Sequence, residues 1–409
     1  MKKIFLKTFF ILFLFIPFLV SALESPDLYS KYYGIYDLTD DKMLFSLNSD
    51  VETEIASLTK IMTVLVAIEN VSDLDESVTI TSKILNTVSW DASVAGLEVG
   101  DVVTYRDLLY AAMLPSGADA TNALAISIAG SIDGYVELMN AKAKSLGLNS
   151  THYENVTGLD EDNHYSSVDD VIKLLKYSLN NEIFKEIYTT RNYTLTNGLK
   201  VSASVNFYNK IMDLDTSLIL GSKTGFTDDA GYCISIYFKS DDHDLIAVTL
   251  NAPRVNDNYY NVSDAVDIID FVNDNFGYQS VLNKNKPITS IPVYYSDINE
   301  YDIVTKDAIK VFLPDDFDEE MISFKYNGLN EISYKNNVND KLGTVDVYYD
   351  DVLLTSVDVF LLSEINANYF KVAWKYKWYI LLAIAILYFI FVLKKKTRKR
   401  KKVHRTFSR

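Results

Sequence analysis

The sequence predicts an α+β fold with a smaller β domain and an apolar helix behind it. Three observations carry that expectation. Between residues 218 and 251, three strand-like runs follow one another with only polar turns between them. Ahead of them, from Ile55 to Leu179, helical patterns dominate. Beyond Pro287 short alternating segments take over until a wholly apolar stretch near the C-terminus.

The elements read in order. Gly34–Leu38 and Met43–Leu47 form an opening hairpin, and Ile55–Glu69 is an apolar-rich helix. Tyr105–Leu114 is another; Pro115-Ser116-Gly117 breaks the pattern before Ala120–Ala129 resumes it. Val136–Leu146 and Asp169–Leu179 are further helices. Leu218–Gly225, Tyr232–Lys239 and Leu245–Asn251 are joined by Asp- and Gly-rich turns short enough to require an antiparallel meander. Ala265–Phe276 closes this domain as a helix, so its span is set at 23–280. After Asn283-Lys284-Asn285-Lys286-Pro287, segments such as Ile309–Leu313, Ile322–Tyr326 and Thr344–Tyr349 alternate polar and apolar residues, giving a small all-β domain over 288–365.

Both ends set the compartment. Lys2, Lys3 and Lys7 precede an apolar run from Phe9 to Val20, and Val20-Ser21-Ala22 supplies small residues for cleavage, so residues 1–22 read as a signal peptide. Trp378–Leu393 is apolar with Trp374, Trp378 and Tyr379 at one end, and reads as a transmembrane helix over 378–393. Ten basic residues then fill 394–409, a cytoplasmic tail by the positive-inside rule, which puts everything before the span outside. The net charge is −16, and setting aside the basic residues of both ends leaves −29 for residues 23–393. A body this acidic repels nucleic acid and disfavours it as a partner.

Some chemistries are excluded by what is missing. Cys233 is the only cysteine, so no intramolecular disulfide forms, and its apolar neighbours make it a buried hydrophobe. The four histidines fall in no H-E-x-x-H or Cys/His cluster, against a zinc peptidase. No G-x-S-x-G elbow is present, which disfavours a Ser-His-Asp hydrolase.

Three motifs remain. In Ser57-Leu58-Thr59-Lys60 the serine and lysine are three apart on a helix, hence on one face with Cβ atoms about 5–6 Å apart. A lysine deprotonates a serine only if desolvation or nearby positive charge lowers its pKa. Apolar Ile55, Leu58, Ile61 and Met62 offer the first, and Lys223 the second. Ser116, where two helices meet, can pass a proton to a leaving amine, or it can simply cap the following helix. In Lys223-Thr224-Gly225, on a strand edge, the ammonium and hydroxyl can bind a substrate carboxylate while Gly225 lets backbone approach. The N–H groups of Phe226 and Ser57 form a candidate oxyanion hole.

With these motifs in this order the chain resembles the low-molecular-mass penicillin-binding proteins, the serine D-alanyl-D-alanine carboxypeptidases. The likeness runs from about Tyr32 to Phe276 and includes Ala56–Thr63, Leu114–Ala120, Met139–Ala143, Asn155–Leu159 and Gly221–Thr227. It implies an antiparallel sheet flanked by helices with a helical lobe, as in penicillin-binding proteins and β-lactamases. It implies Ser57 as acylated nucleophile, Lys60 as base, Ser116 as proton relay and Lys223 as substrate binder, with no metal or organic cofactor. The implied substrate is a peptidoglycan stem pentapeptide losing its terminal D-alanine, with β-lactams as inhibitors. Arg254 falls where the family often carries a carboxylate-binding arginine. One departure stands out: Ala118 replaces the usual Asn of the second motif, and Asn122 or Asn206 are candidates to supply the missing amide. A β-lactamase shares the three motifs, but no E-x-x-L-N run occurs near residues 150–165. A catalytically weakened wall-binding paralogue is the alternative if Ala118 signals decay, and the retention of Ser57, Lys60, Ser116 and Lys223 speaks against it.

Overall fold

The structure, a computed structural model, describes residues 25–255 and 258–406; the expected signal peptide lies outside them. The chain divides into two compact units, Met1–Gly277 and Tyr278–Arg409.

The first unit is built on a five-stranded sheet. Strands β1 (Tyr32–Asp37) and β2 (Lys42–Leu47) form the opening hairpin, and β3 (Gly221–Thr227), β4 (Gly231–Ser240) and β5 (His243–Ala252) form the meander. The order is β2-β1-β5-β4-β3, with every neighbouring pair antiparallel. The meander was legible from its short turns. Pairing of β1 with β5, some two hundred residues away, was not. Asp37 secures that junction: its Oδ1 accepts the Thr39 and Asp40 N–H groups, while Oδ2 meets buried His243 Nδ1 at 2.7 Å.

Helix α1 (Thr59–Asn70) is buried from Thr59 to Ile68, on every face, and so forms the axis of a helical lobe. Around it pack α2 (Tyr105–Met113), α3 (Ala118–Ala129) and α4 (Ile132–Ser145). A capping box of Thr104 and Asp107 starts α2, and Gly130, at φ 79°, ends α3 in the left-handed conformation. Helix α5 (Val168–Leu179) leans on β1 and β5, α6 (Glu182–Thr189) and α7 (Ser204–Met212) on β3, and α8 (Tyr260–Asn275) on β4 and β5. The antiparallel sheet flanked by helices, with a helical lobe beside it, is the architecture the resemblance implied. One local correction concerns the helix expected from Ile55. It begins only at Thr59, and Ala56–Leu58 is a separate 3₁₀ turn.

Before its terminal helices the second unit is built of strands, with one short 3₁₀ turn at Glu319–Met321 among the described residues. Thr289–Tyr294 is flanked by Glu300–Ile303 and Ile332–Ser333, and Lys341–Tyr349 by Ile322–Gly328 and Val352–Phe360. Ile291, Ile303, Val345, Val359 and Leu361 share one buried core. The segment Lys377–Lys396 has a mean hydropathy of 2.0 and is long and apolar enough to cross a membrane.

Candidate active site

Ser57 sits in the 3₁₀ turn at the foot of α1, and the turn exists because its surroundings force it. Ala56 has φ 46°, a left-handed value costing a non-glycine residue about 1 kcal/mol or more. Its carbonyl accepts the Thr59 hydroxyl at 2.9 Å, and Thr59 Oγ1 lies 2.8 Å from His164 Nε2. His164 Nδ1 accepts the Glu154 N–H at 3.1 Å, so the ring proton belongs on Nε2, which donates to Thr59. Burial, then the charges of His152 and Lys60, lower the His164 pKa to about 4, so the ring is neutral. Gly158, at φ 81°, packs directly against this turn: a Cβ there would stand 1.9 Å from the Ala56 carbonyl oxygen.

Lys60 lies one helical turn on, buried, with Nζ 2.8 Å from Ser57 Oγ. Nζ also donates to the Thr157 carbonyl at 2.6 Å. That carbonyl is aimed by Asn155, whose Oδ1 accepts the Thr157 N–H, the Thr157 hydroxyl and the Gly158 N–H. Burial lowers the Lys60 pKa from 10.5 to about 7, against an opposing pull from the Asp119 carboxylate. As an ammonium, Lys60 donates to Oγ; once neutral, its lone pair can take the Oγ proton.

Ser116 stands between α2 and α3 with φ 66°, and its buried Oγ has no hydrogen-bond partner. The capping alternative is thereby overturned: the N-cap of α3 is Gly117, and no side chain caps it. Strained backbone and a buried hydroxyl without a protein partner are two features that concentrate at functional sites. Beside it, the Asp119 carboxylate accepts the N–H groups of Ala95, Gly96 and Leu97, tying that loop to the second motif.

Ala118 is 1 % exposed and donates its N–H to the Ser93 carbonyl. Neither candidate amide is hydrogen-bonded to Ser57, Ser116 or Lys60. Asn122 gives its Nδ2 to the Thr87 carbonyl and hydroxyl and leaves its buried Oδ1 without a partner, and Asn206 is bound to Arg191 through both Oδ1 and Nδ2.

The Lys-Thr-Gly strand closes the other side. Gly225 touches the nucleophile turn: a Cβ would stand 2.9 Å from both the Ser57 nitrogen and the Ala56 Cβ. That explains the glycine. Lys223 is buried and donates to the Thr224 carbonyl at 2.6 Å. Burial, then the nearby Lys60, push its pKa well below 10.5. Arg254 is exposed beyond the strand, its guanidinium 5.1 Å from the Phe226 ring centre and 3.7 Å from Asp228. The structure therefore joins Ser57 to Lys60 and Gly225 to the Ser57 turn, and it sets Arg254 on Phe226. Ser116 makes no hydrogen bond to either Ser57 or Lys60. The positioning of the site by Asn155, Gly158, His164 and Asp119 has no signal of its own in the sequence beyond the likeness of Asn155–Leu159 and Leu114–Ala120 to the family.

Residues 20–254 match the D-alanyl-D-alanine carboxypeptidase peptidase family, and residues 276–367 the C-terminal domain of penicillin-binding protein 5. The D-alanyl-D-alanine carboxypeptidase DacF of Bacillus subtilis is 29 % identical over 323 residues, 78 % of this chain and 81 % of that protein. A D-alanyl-D-alanine endopeptidase of Escherichia coli is 30 % identical over 212 residues, 52 % of this chain and 67 % of that one. Penicillin-binding protein 5 of Haemophilus influenzae superposes with a TM-score of 0.60 at 24 % identity, covering 84 % of this chain and all (100 %) of the other, a likeness of fold. With the family matched across more than half its length, the chain belongs to the D-alanyl-D-alanine carboxypeptidases and is a serine-type hydrolase of cell-wall metabolism.

Proposed function

We propose that Ser57 is the acylated nucleophile and Lys60 its base in removing the last D-alanine from peptidoglycan stem pentapeptides. The observation that carries this reading is the buried Lys60 amine, 2.8 Å from Ser57 Oγ with a pKa near 7. Oγ attacks the carbonyl between the two D-alanines as its proton passes to Lys60 Nζ. Ser116 relays a proton to the departing amine, free D-alanine leaves, and water hydrolyses the Ser57 ester to release the shortened peptide. The N–H groups of Ser57 and Phe226 hold the oxyanion. Lys223 and Thr224, with Gly225 allowing close approach and Arg254 at the rim, receive the terminal carboxylate. β-Lactams acylate the same oxygen and stall there.

The remaining assignments concern placement. Residues 1–22 direct export, 23–280 form the catalytic domain and 288–365 the β domain. Residues 378–393 make a single membrane span, so catalysis takes place outside the cytoplasm and the basic 394–409 tail inside it. The aromatic residues at the start of the apolar helix support this, since Trp378 and Tyr379 are both largely exposed.

Free D-alanine measured from a purified ectodomain given a pentapeptide tests the function. Release supports it; turnover of penicillin without D-alanine release would assign a β-lactamase, and neither would assign a wall-binding protein. The pH profile is a second check. Because the base must be neutral, kcat/KM falls about tenfold per pH unit below pH 7 and levels off above it. A profile flat from pH 5 to 8 contradicts Lys60 as the base.

A further inference from the structure

The amine of Lys60 meets the backbone of the segment from Asn155 to Gly158. Among the described residues Nζ has two hydrogen-bond partners, Ser57 Oγ at 2.8 Å and the Thr157 carbonyl at 2.6 Å. That carbonyl also lies 3.4 Å from Ser57 Oγ, so base, nucleophile and carbonyl form a triangle. Ala118 has no polar side-chain atom and Ser116 Oγ makes no hydrogen bond, so the second motif gives the amine no further anchor. The Thr157 carbonyl is therefore what orients it. Asn155 Oδ1 holds the residues on both sides of that carbonyl, accepting the Thr157 N–H and hydroxyl at 3.1 Å each and the Gly158 N–H at 2.7 Å. Asn155 Nδ2 is fixed in turn by the Leu159 carbonyl at 3.0 Å and Glu161 Oε2 at 3.2 Å. With both ends engaged, the amide cannot turn.

We propose that Asn155 is a positioning residue for the base: the Thr157 carbonyl it fixes takes up one Lys60 N–H and leaves the lone pair of the neutral amine for the Ser57 proton. The inference rests on the reading of Lys60 as base. A neutral amine carries two N–H groups and one lone pair, and rotation about Cε–Nζ brings any of them to Ser57 Oγ. Only the lone pair accepts a proton. The short bond to Thr157 removes one N–H from that competition. The same bond acts on the charged form. An ammonium donates more strongly than an amine, so the carbonyl favours the ammonium and opposes the burial that lowers the Lys60 pKa to about 7. The other charged or titratable groups facing Lys60 are Asp119 in the second motif, Lys223 on β3 and neutral His164. None of them is hydrogen-bonded to Nζ, which leaves the Thr157 carbonyl as the contact that Asn155 controls.

The test is Asn155→Ala in the full-length protein in detergent, read as the second-order rate of acylation by fluorescent penicillin across the pH range of the acid limb and its plateau. The plateau should fall roughly 30- to 100-fold, the cost of a reacting group misplaced by about 1 Å. The midpoint of the acid limb should move about one pH unit below the wild-type value, because the ammonium loses an acceptor. A loss of folded protein alone lowers the plateau and leaves the midpoint where it was. Asn155→Ser, whose hydroxyl makes the same turn more weakly, should show both changes at smaller size and carries the test where Asn155→Ala does not fold. Glu161→Gln keeps an acceptor for Nδ2 and should leave plateau and midpoint close to wild type. An unchanged plateau, or an unmoved or raised midpoint, in the Asn155 variants overturns the proposal. So does a midpoint shift in Glu161→Gln as large as theirs, which would assign the effect to the charge of that loop. A wild-type profile with no acid limb removes Lys60 as base and the inference with it; a wild-type limb that Asn155 variants do not move removes Asn155 alone.

Discussion

Ser57→Ala yields a folded protein that takes up no fluorescent penicillin and releases no D-alanine, a loss of at least about 10³-fold in acylation. The size follows from covalency. Without Oγ no ester can form, and what is left is binding plus whatever the oxyanion donors contribute. Folding should survive, because Ser57 is only half-buried and its hydroxyl makes one weak contact, 3.4 Å from the Thr157 carbonyl, besides the one to Lys60. Gel fluorescence after labelling, with circular dichroism as the control, reads the result. Label retained at another residue would remove Ser57 from the mechanism.

Gly158→Ala should lose at least about 100-fold in penicillin acylation and about 2–4 kcal/mol of stability. Two costs coincide there. Alanine is strained at φ 81°, and its Cβ would have to displace the Ala56 carbonyl oxygen from 1.9 Å. That oxygen belongs to the residue preceding the nucleophile and anchors the Thr59 hydroxyl. Pushing it away rotates Ser57 relative to Lys60. Gly147→Ala separates the two costs, since Gly147 has φ 68° with nothing within 4 Å of a Cβ. It should cost about 1 kcal/mol and leave acylation unchanged. Thermal melting and the second-order acylation rate measure both; wild-type acylation in Gly158→Ala would show that the turn tolerates displacement.

How much of this was readable beforehand depended on distance along the chain. Lys60 is three residues from Ser57, and helical spacing alone brings them together. The three strands of the meander follow one another through short turns, so their pairing was close to forced. By contrast, β1 meets β5 across the whole domain, and no local pattern names that partner. The start of α1 was misread because propensity sees Ile55–Leu58 as apolar helix, whereas Gly158 and His164 bend the backbone there from elsewhere in the sequence. Ser116 read equally well as a cap; only its unpartnered, buried oxygen decides. The substitutes suggested for the missing amide were open for the same reason, because the partners of Asn122 and Asn206 are set by tertiary packing.

The Lys-Thr-Gly strand is also the last strand of its sheet, with a pairing partner on one side only among the described residues. Unclaimed backbone of that kind recruits any extended chain that fits, including a twin molecule. A dimer zipped together along Gly221–Thr227 would plug both clefts at once.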